Sequence, residues 1–144
     1  MDAIQLLKED HKKVVNLLDK INHTSEKAVK TRGELFSKVK EALEMHEMLE
    51  EKIFYPACKK YDEIRTFIFE AFEEHSVVDK VIDDLKHSAP NSEKWTGRFA
   101  VLKDSVTHHV KIEEGKLFPL VRKFMTKSQL ETIGEKMECL KKKH

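Results

Sequence analysis

Apolar residues recur at intervals of three or four positions along almost the whole chain, and no segment shows the alternation expected of a strand. This is the period of α-helices that bury one face. The pattern predicts four long helices and one short C-terminal helix, over residues 2–22, 31–60, 63–87, 93–125 and 128–140. The predicted fold class is therefore all-α.

Short polar segments separate the predicted helices. Residues 23–26 are expected to end the first helix, and residues 88–91, which include a proline, separate the third helix from the fourth. The asparagine that ends this second segment, or Ser92 after it, is predicted to cap the fourth helix. Ser128 and Glu131 have the spacing of a capping box, which would start the fifth helix.

Short connections between long amphipathic helices are typical of antiparallel neighbours, so we predict an up-down-up-down four-helix bundle with a short C-terminal helix. No linker divides the sequence, and residues 1–144 are predicted to form one domain, with the bundle at about 2–125 and the last helix at about 128–140. Pro56 and Pro119 lie inside otherwise helical patterns, where each is expected to kink its helix or end it early.

The charges nearly cancel, since charged residues make up 37% of the chain but leave a net charge of +1 with histidine neutral. Such a chain has no overall field that would attract nucleic acid or an anionic membrane, and neither partner is expected. The lysine run at residues 141–143 is interpreted as a solvated tail.

The sequence also bears on the cellular compartment. No apolar run approaches the length of a membrane span, and the first residues lack the basic and apolar regions of a signal peptide. Cys58 and Cys139 are far apart and form no C-x-x-C motif. Free thiols are the expected state, so a reducing, cytoplasmic location is predicted.

The chain contains an internal repeat with an offset of 63 or 64 residues. Residues 46–56 align with residues 109–119, with His, Glu, Glu and Pro at identical places. In the preceding helix of each half, His11 matches His75, and an acidic residue stands before each of them. Two such helix pairs around an approximate two-fold axis would bring six polar side chains together.

Six residues of this repeat stand at helix positions that the apolar period assigns to the core: His11, His46, Glu50, His75, His109 and Glu113. A buried carboxylate is unfavourable by several kcal/mol unless it is paired, coordinated or protonated. Residues four apart lie on one helix face, about 6 Å apart, so each His-x-x-x-Glu can present a nitrogen and an oxygen to one site. We therefore predict a site for two metal ions with these six ligands, whose donor types suit iron, manganese or zinc.

Together these motifs resemble the hemerythrin-like (HHE cation-binding) family over about residues 1–125. The matching pieces are Asp10-His11, His46-x-x-x-Glu50-Glu51 with Pro56, Glu74-His75, and His109-x-x-x-Glu113-Glu114 with Phe118-Pro119. The resemblance implies a non-haem di-iron centre, so two iron ions with an oxo or hydroxo bridge are expected ahead of zinc or manganese. It also implies O2, peroxide or nitric oxide as the small-molecule ligand.

One position departs from the oxygen-carrying members of that family, which place a second histidine four residues after the first in the third helix. Here that residue is Asp79, four positions after His75. Its side chain could be a seventh ligand, a hydrogen-bond partner of a ligand or an exposed carboxylate. We favour a role outside the ligand set, because Val78 and Ile82 fit the apolar line of this helix better than Asp79 does. The missing histidine leaves a coordination position open, which favours reaction with the small molecule over reversible carriage.

Residues beside the predicted ligands have less specific interpretations. Tyr55 is expected to pack near the proline bend, with an approach to the metal site as the alternative. His108 lies about 100° round the helix from the neighbouring ligand and is interpreted as exposed or as a partner of the site. Glu47, Glu51 and Glu114 also rotate away from the core line, so a solvated face is expected for all three.

Two functions follow from this interpretation. The first is a di-iron protein that binds or reacts with O2, peroxide or nitric oxide, as a scavenger or a sensor. The alternative is a non-enzymatic iron- or cation-binding module for iron storage, sensing or iron-centre repair. The sequence offers neither a nucleophile–base set nor a Gly-rich phosphate loop.

Overall fold

The computed structural model describes residues 1–144 and contains helices but no strands, which confirms the all-α fold class. Helix α1 (Ala3–Asn22) is followed by α2 (Val29–Leu49), which continues into a first π-helical turn (Glu50–Phe54) and the short α3 (Tyr55–Cys58). Helix α4 (Asp62–Lys86) precedes α5 (Glu93–Ile112), which continues into a second π-helical turn (Glu113–Leu117) and α6 (Phe118–Phe124). The chain ends in α7 (Lys127–Lys142).

The four rods of the bundle are α1, α2 with its π turn and α3, α4, and α5 with its π turn and α6. Helix α1 packs on α2 and α5, and α4 packs on α5. Helix α7 is a fifth element that lies against α1, α2 and the first π turn. A four-helix bundle with a short C-terminal helix is the architecture that the apolar period predicted.

None of these helices combines the length and the apolar character needed to pass through a lipid bilayer.

Local side-chain hydrogen bonds set the starts of two bundle helices. The Gln5 backbone N–H donates to Asp2 Oδ1 at 2.8 Å, and the Asp2 backbone N–H donates to Gln5 Oε1 at 3.0 Å, so α1 begins with a reciprocal capping box. Ser92, one of the two predicted candidates, caps α5 by accepting a hydrogen bond from the Trp95 N–H.

The predicted capping box of Ser128 and Glu131 is wrong. The N-cap of α7 is Thr126, whose hydroxyl accepts from the Gln129 N–H at 3.1 Å while the Gln129 side chain accepts from the Thr126 N–H at 2.8 Å. Thr126 has the extended backbone that an N-cap requires, whereas Ser128 is already inside the helix. The helix therefore starts one residue before its predicted beginning.

A π-helical turn precedes the proline in each of the two broken rods. The Tyr55 N–H donates to the Glu50 carbonyl five residues back, and the second π turn repeats this arrangement. Proline has no N–H to donate, and its ring collides with the carbonyl four residues earlier in a regular α-helix. The wider turn accommodates the ring, so the rods continue beyond Pro56 and Pro119 and the predicted disturbance takes the form of a π turn.

Two apolar clusters fill the interior, one on each side of a polar layer. One cluster includes Leu7 and Phe118, and the other includes Val14 and Leu43. His11 lies between Leu7 and Val14 on the buried face of α1, and is itself buried. The polar layer therefore lies within the packed core rather than at its surface.

Gly134 lets α7 lie directly on the start of α1. A Cβ atom at this position would overlap the carbonyl oxygen of Met1 and lie 2.9 Å from the backbone nitrogen of Ala3. Because backbone atoms cannot turn aside as side chains do, Gly134→Ala should lower the free energy of unfolding by about 1–3 kcal/mol, measured by urea denaturation followed by circular dichroism.

The matched control for this substitution is Gly97→Ala. Gly97 is exposed on α5, and a Cβ there meets nothing within 4 Å. Alanine should stabilise that helix by up to about 1 kcal/mol. Similar effects of the two substitutions would show that α7 does not pack closely on α1.

Candidate metal centre

All six residues predicted as ligands are buried and meet in one layer of the bundle. Each histidine comes from a different helix: His11 from α1, His46 from α2, His75 from α4 and His109 from α5. Glu50 and Glu113 are the first residues of the two π turns. They are 0% and 1% exposed, and no histidine of the set exceeds 7%. The structure therefore brings together every member of the predicted set.

The layer has an approximate two-fold symmetry that follows the sequence repeat. Glu50 Oε1 lies 3.0 Å from His75 Nε2 and 3.3 Å from His46 Nε2. Glu113 Oε1 lies at the same distances, 3.0 and 3.3 Å, from the equivalent histidines of α1 and α5. The two pairs of neighbouring imidazole rings have centroids 4.8 and 4.9 Å apart. Each carboxylate therefore contacts one histidine of its own half and one of the other half.

The donor atoms form two overlapping groups, each compact enough for one cation. The first donor group consists of His11, His46, Glu50 and Glu113, and the second donor group consists of Glu50, His75 and His109. Within each group the donor atoms all lie within 4.8 Å of one another. Glu50 belongs to both groups, so it is placed to bridge two ions.

Three buried polar atoms of these groups have no hydrogen-bond partner: His46 Nε2, Glu50 Oε2 and His109 Nε2. Buried polar atoms without a partner are rare, and each is unfavourable by about 1–3 kcal/mol. A coordinated cation satisfies an imidazole lone pair and a carboxylate oxygen alike. With nitrogen and oxygen donors and no thiolate, the residues present fit a pair of iron, manganese or zinc ions.

A carboxylate stands behind each histidine and accepts a hydrogen bond from its Nδ1 atom: Glu114 for His11 (2.6 Å), Glu51 for His75 (2.7 Å), Glu74 for His109 (2.7 Å) and Asp10 for His46 (3.4 Å). Such a partner fixes the ring orientation and the tautomer that leaves Nε2 free for a cation, and it raises the basicity of the ligand. The acidic residues that both repeats place next to a ligand, Asp10, Glu51, Glu74 and Glu114, thus each support a histidine.

The expectation that Glu51 and Glu114 lie on a solvated face is wrong. Their side chains are 37% exposed at the rim, yet each binds a buried histidine. Successive side chains of an α-helix diverge by about 100°, but these residues lie in π turns, where that angle is smaller. Glu50 and Glu51 therefore reach the two nitrogens of one ring, that of His75. The repeat carried this signal, since a second glutamate follows the ligand in both halves.

Tyr55 belongs to the centre as well, so the expectation that it only packs beside the proline bend is wrong. Its buried hydroxyl donates to Glu113 Oε2 at 2.6 Å and lies 3.5 Å from His75 Nε2. The equivalent residue in the second half is Phe118, which stacks on a histidine ring and has no hydroxyl. Tyr55 therefore occupies one oxygen of Glu113, whereas the matching oxygen of Glu50 has no partner.

Asp79 is exposed and lies outside both donor groups. Burial, together with the neighbouring carboxylate of Asp79, raises the pKa of Glu47 to about 9. Glu47 was expected on a solvated face, but it is only half-exposed and its donor atom lies near those of Glu51 and His75. The edge of the centre on this side therefore carries three acidic side chains.

Two surface residues contact the carboxylates behind the histidines. His108 is 66% exposed, and its Nε2 lies 3.5 Å from Glu74. Lys141 Nζ lies 2.7 Å from Asp10 Oδ1, so the interpretation of residues 141–143 as a solvated tail is wrong for Lys141. That lysine is in the last turn of α7, which the sequence did not place against the bundle.

A cavity of about 20 Å3 lies against the four histidines. Its remaining walls are mostly apolar and consist of Val14, Leu43, Val78, Val106 and Val110, with Glu47 at the edge. A space of this size admits about one water-sized molecule. The centre therefore adjoins a small apolar chamber that only very small molecules fit.

The charges of this layer stabilise one another. Burial disfavours the charged form of His46, but the negative charge of Glu50 and the bond to Asp10 outweigh it and raise the pKa of His46 to about 10. Burial would likewise raise the pKa of Glu113, but hydrogen bonding with Glu50 and the charge of His109 hold it well below its usual range. In the metal-free protein, protonated histidines therefore compensate the buried carboxylate of Glu113.

A four-helix bundle whose core presents four imidazoles and two carboxylates to two adjoining positions defines a helical protein with a histidine–carboxylate cation site. The chain belongs to the hemerythrin family, because the model of the hemerythrin HHE cation binding domain matches residues 2–121. This match confirms the resemblance inferred from the motifs.

Two individual proteins are similar to this chain. A DNA nickase from Nostoc sp. (strain PCC 7120 / SAG 25.82 / UTEX 2576) is 26% identical over 144 residues, which cover 99% of this chain and 40% of the nickase, so the chain spans about two fifths of that relative. The crystal structure of a hemerythrin HHE cation binding domain-containing protein from Mycobacterium kansasii has a TM-score of 0.87 at 24% identity, over 99% of this chain and 86% of that one. This second likeness shows the fold.

Glu51→Ala removes the acceptor for His75 Nδ1 and should weaken metal binding by about 10–100-fold, measured by competition with a chromophoric chelator. Glu44→Ala is the matched control, because Glu44 lies on the same rod, is exposed and pairs only with Lys40. An unchanged affinity in Glu51→Ala, or an equal loss in both variants, would contradict a supporting role for Glu51.

Metal uptake should release protons and become stronger as the pH rises. With a pKa of about 10, His46 is protonated at neutral pH in the metal-free protein, whereas a cation requires the neutral imidazole. The apparent affinity should therefore increase from pH 6 to pH 9, and calorimetric titrations in buffers of different ionisation enthalpy should show protons leaving the protein. Uptake without proton release would contradict this account of the charges.

Proposed function

We propose that this chain holds two iron ions in its two donor groups and binds or reacts with O2, peroxide or nitric oxide, as a scavenger or a sensor. The observation that carries the proposal is the small apolar cavity that lies directly against all four histidines of the centre. A centre that served only to hold the bundle together would not need such a chamber beside its donor atoms.

The donor set supports iron as the resident metal. Nitrogen and oxygen donors without thiolate are suited to iron, and the two buried carboxylates would offset part of the charge of the ions. When bound, a pair of iron ions supplies the redox chemistry and the open coordination that O2, peroxide and nitric oxide require. The residues of the chain hold the imidazoles in the orientation and tautomer needed, through Glu51, Glu74 and Glu114.

The walls of the cavity favour a small, weakly polar guest. Five aliphatic side chains line it, and its volume of about 20 Å3 suits a diatomic molecule or peroxide rather than an organic substrate. The aliphatic walls also keep bulk water from the donor atoms, which protects a reactive guest from competing proton transfer. Glu47, whose pKa is raised to about 9, lies at the edge of the cavity, and the Tyr55 hydroxyl lies at Glu113, so each can supply a proton near the centre.

The position of Asp79 supports reaction over reversible carriage. It occupies the place where oxygen carriers of the family supply a histidine, and here its side chain is exposed and lies beside Glu47. The second donor group has three members where the first has four, and the additional member of the first is Glu113. One position of the pair is therefore less completely surrounded by protein donors, and an exogenous ligand can bind there.

The alternative is a cation-binding module that stores, senses or delivers iron without acting on a small molecule. The similarity to a DNA nickase raises phosphodiester cleavage as a further candidate. We do not favour it, because a buried centre beside a cavity of about 20 Å3 has no room for a phosphodiester. In the Nostoc protein the matching part is 40% of the chain, and its named activity belongs to that whole protein.

The test begins with protein purified from iron-replete cells. Metal analysis should give two irons per chain, and visible spectra should change when argon is replaced by air, peroxide or nitric oxide. Glu50→Ala combined with Glu113→Ala should abolish metal binding, whereas Glu44→Ala combined with Glu131→Ala, at two exposed positions, should not.

Each component of the proposal has its own contrary outcome. Unchanged metal content in the Glu50→Ala, Glu113→Ala variant would show that the donor groups are wrongly assigned. Two irons without any spectral response to the three small molecules would favour the storage or sensing module. Metal-dependent nicking of a supercoiled plasmid by the isolated chain, lost in the same double variant, would favour phosphodiester cleavage.

A further inference from the structure

The contacts of the four histidines with carboxylates match closely between the two halves except at one pair. The Nε2–Oε1 distances of the two glutamates agree between the halves, at 3.0 and 3.3 Å, and the contacts of His11 and His75 with their outer carboxylates agree within 0.1 Å. In contrast, His109 Nδ1 lies 2.7 Å from Glu74, whereas the equivalent His46 Nδ1 lies 3.4 Å from Asp10.

The outer carboxylates at this pair of contacts, Asp10 and Glu74, differ in two respects. Asp10 is one methylene shorter than Glu74, so its carboxylate extends less far toward its histidine. In addition, Asp10 Oδ1 is bound by Lys141 Nζ at 2.7 Å, which leaves Oδ2 to face His46. Glu74 has only His108 beside it, 3.5 Å away and largely exposed.

The partner of Asp10 comes from outside the bundle. Lys141 is in the last turn of α7, and its side chain is 37% exposed while that of Asp10 is only 10% exposed. Helix α7 is held against α1 along its length, from the close contact at Gly134 to this ion pair. The two-fold repeat includes no second helix of this kind, so only one half of the centre receives such support.

We propose that Lys141 is a positioning residue for the first donor group, and that it holds Asp10 in the orientation that fixes the His46 imidazole for a cation. The inference rests on the proposed binding of two metal ions by the six residues. The chain of contacts is continuous, from Lys141 Nζ to Asp10 Oδ1, and from Asp10 Oδ2 to His46 Nδ1. His46 is a member of the first donor group and not of the second.

Loss of the lysine should therefore affect one ion more than the other. Without Lys141, Asp10 Oδ1 loses its partner at a mostly buried position, and the carboxylate is free to turn away from a histidine that it already holds at 3.4 Å. The His46 ring then loses its fixed acceptor and its fixed orientation. His75 and His109 keep their own carboxylates, so the second donor group is unaffected.

The experiment measures the release of metal from the loaded chain into excess chelator. In Lys141→Met, one ion per chain should leave about tenfold faster than in the wild-type chain, and the other should leave at the wild-type rate. Tenfold is the low end of the usual effect of removing a residue that supports a metal ligand. Lys141→Arg, which retains a cationic donor, should restore most of the difference. Lys142→Met is the matched control at the next, exposed position, and should release both ions like the wild type.

A double-mutant cycle separates positioning of the ligand from general loosening of α7. Asp10→Asn should itself accelerate the loss of one ion, and in that background Lys141→Met should add less than a twofold further change, because the two residues act through one contact. If Lys141→Met accelerates loss equally with and without Asp10, the lysine acts only by holding α7 in place and the inference is wrong.

The remaining outcomes are equally decisive. Equally faster release of both ions in Lys141→Met, or no change in either release rate, would overturn the inference about Lys141. If the wild-type chain still contains two ions, the proposed function is unaffected by that result. A wild-type chain that binds fewer than two ions before any substitution would overturn the proposed function, and this inference with it.

Discussion

Two carboxylates in the middle of a helical bundle are the constraint on which the rest of this structure depends. Glu50 and Glu113 have at most 1% of their surface exposed. Removing such groups from water is unfavourable by several kcal/mol each, unless opposite charge lies next to them. Four imidazoles at 3.0 to 3.8 Å provide that charge when protonated, and cations provide it when bound. The apolar clusters on either side keep this layer dry and hold the helices at the spacing that these contacts need.

From that layer, the charges alternate outward toward the surface. The inner carboxylates face imidazoles, and the imidazoles face the carboxylates behind them. Two of these outer carboxylates, those of Asp10 and Glu74, contact Lys141 and His108 at the surface. Each ring is thus held from both sides, and its Nε2 atom is directed toward the centre by a bond that lies behind it. The arrangement allows a rigid and buried set of donors without isolating any full charge in the core.

The helical period and the repeat were sufficient to predict the bundle and the six inner residues, because a polar residue on an apolar stripe is conspicuous. The partners of those residues were harder to predict. Glu51 and Glu114 look solvent-facing on an ideal helix, and only the π turns before Pro56 and Pro119 bring them to the histidines. Local sequence gives no clear sign of a π turn. A proline inside a helix can end it, kink it or be accommodated by a wider turn, and the packing of the whole rod decides which of these occurs.

Long-range contacts limited the prediction in a similar way. Lys141 is the first residue of a basic run, which gave no sign of a specific partner, yet its contact with Asp10 spans 131 positions of the chain. Tyr55 stood beside a proline, a place where packing is the ordinary explanation for an aromatic ring, and its bond to Glu113 depends on how the second rod turns. The start of α7 was misplaced for a local reason, because Thr126 and Gln129 have the same capping-box spacing as Ser128 and Glu131.

The crossing of contacts between the halves has a consequence for how such a centre can specialise. Each glutamate contacts a histidine of the other half, so neither helix pair holds a complete site, and two identical pairs associated as a symmetric dimer would build the same inner layer. Identical pairs would also force the two donor groups to be identical. Joining the two pairs in one chain removes that restriction. The two donor groups become chemically distinct through the residues that differ between the halves, such as Tyr55 in place of Phe118 and Asp10 in place of Glu74.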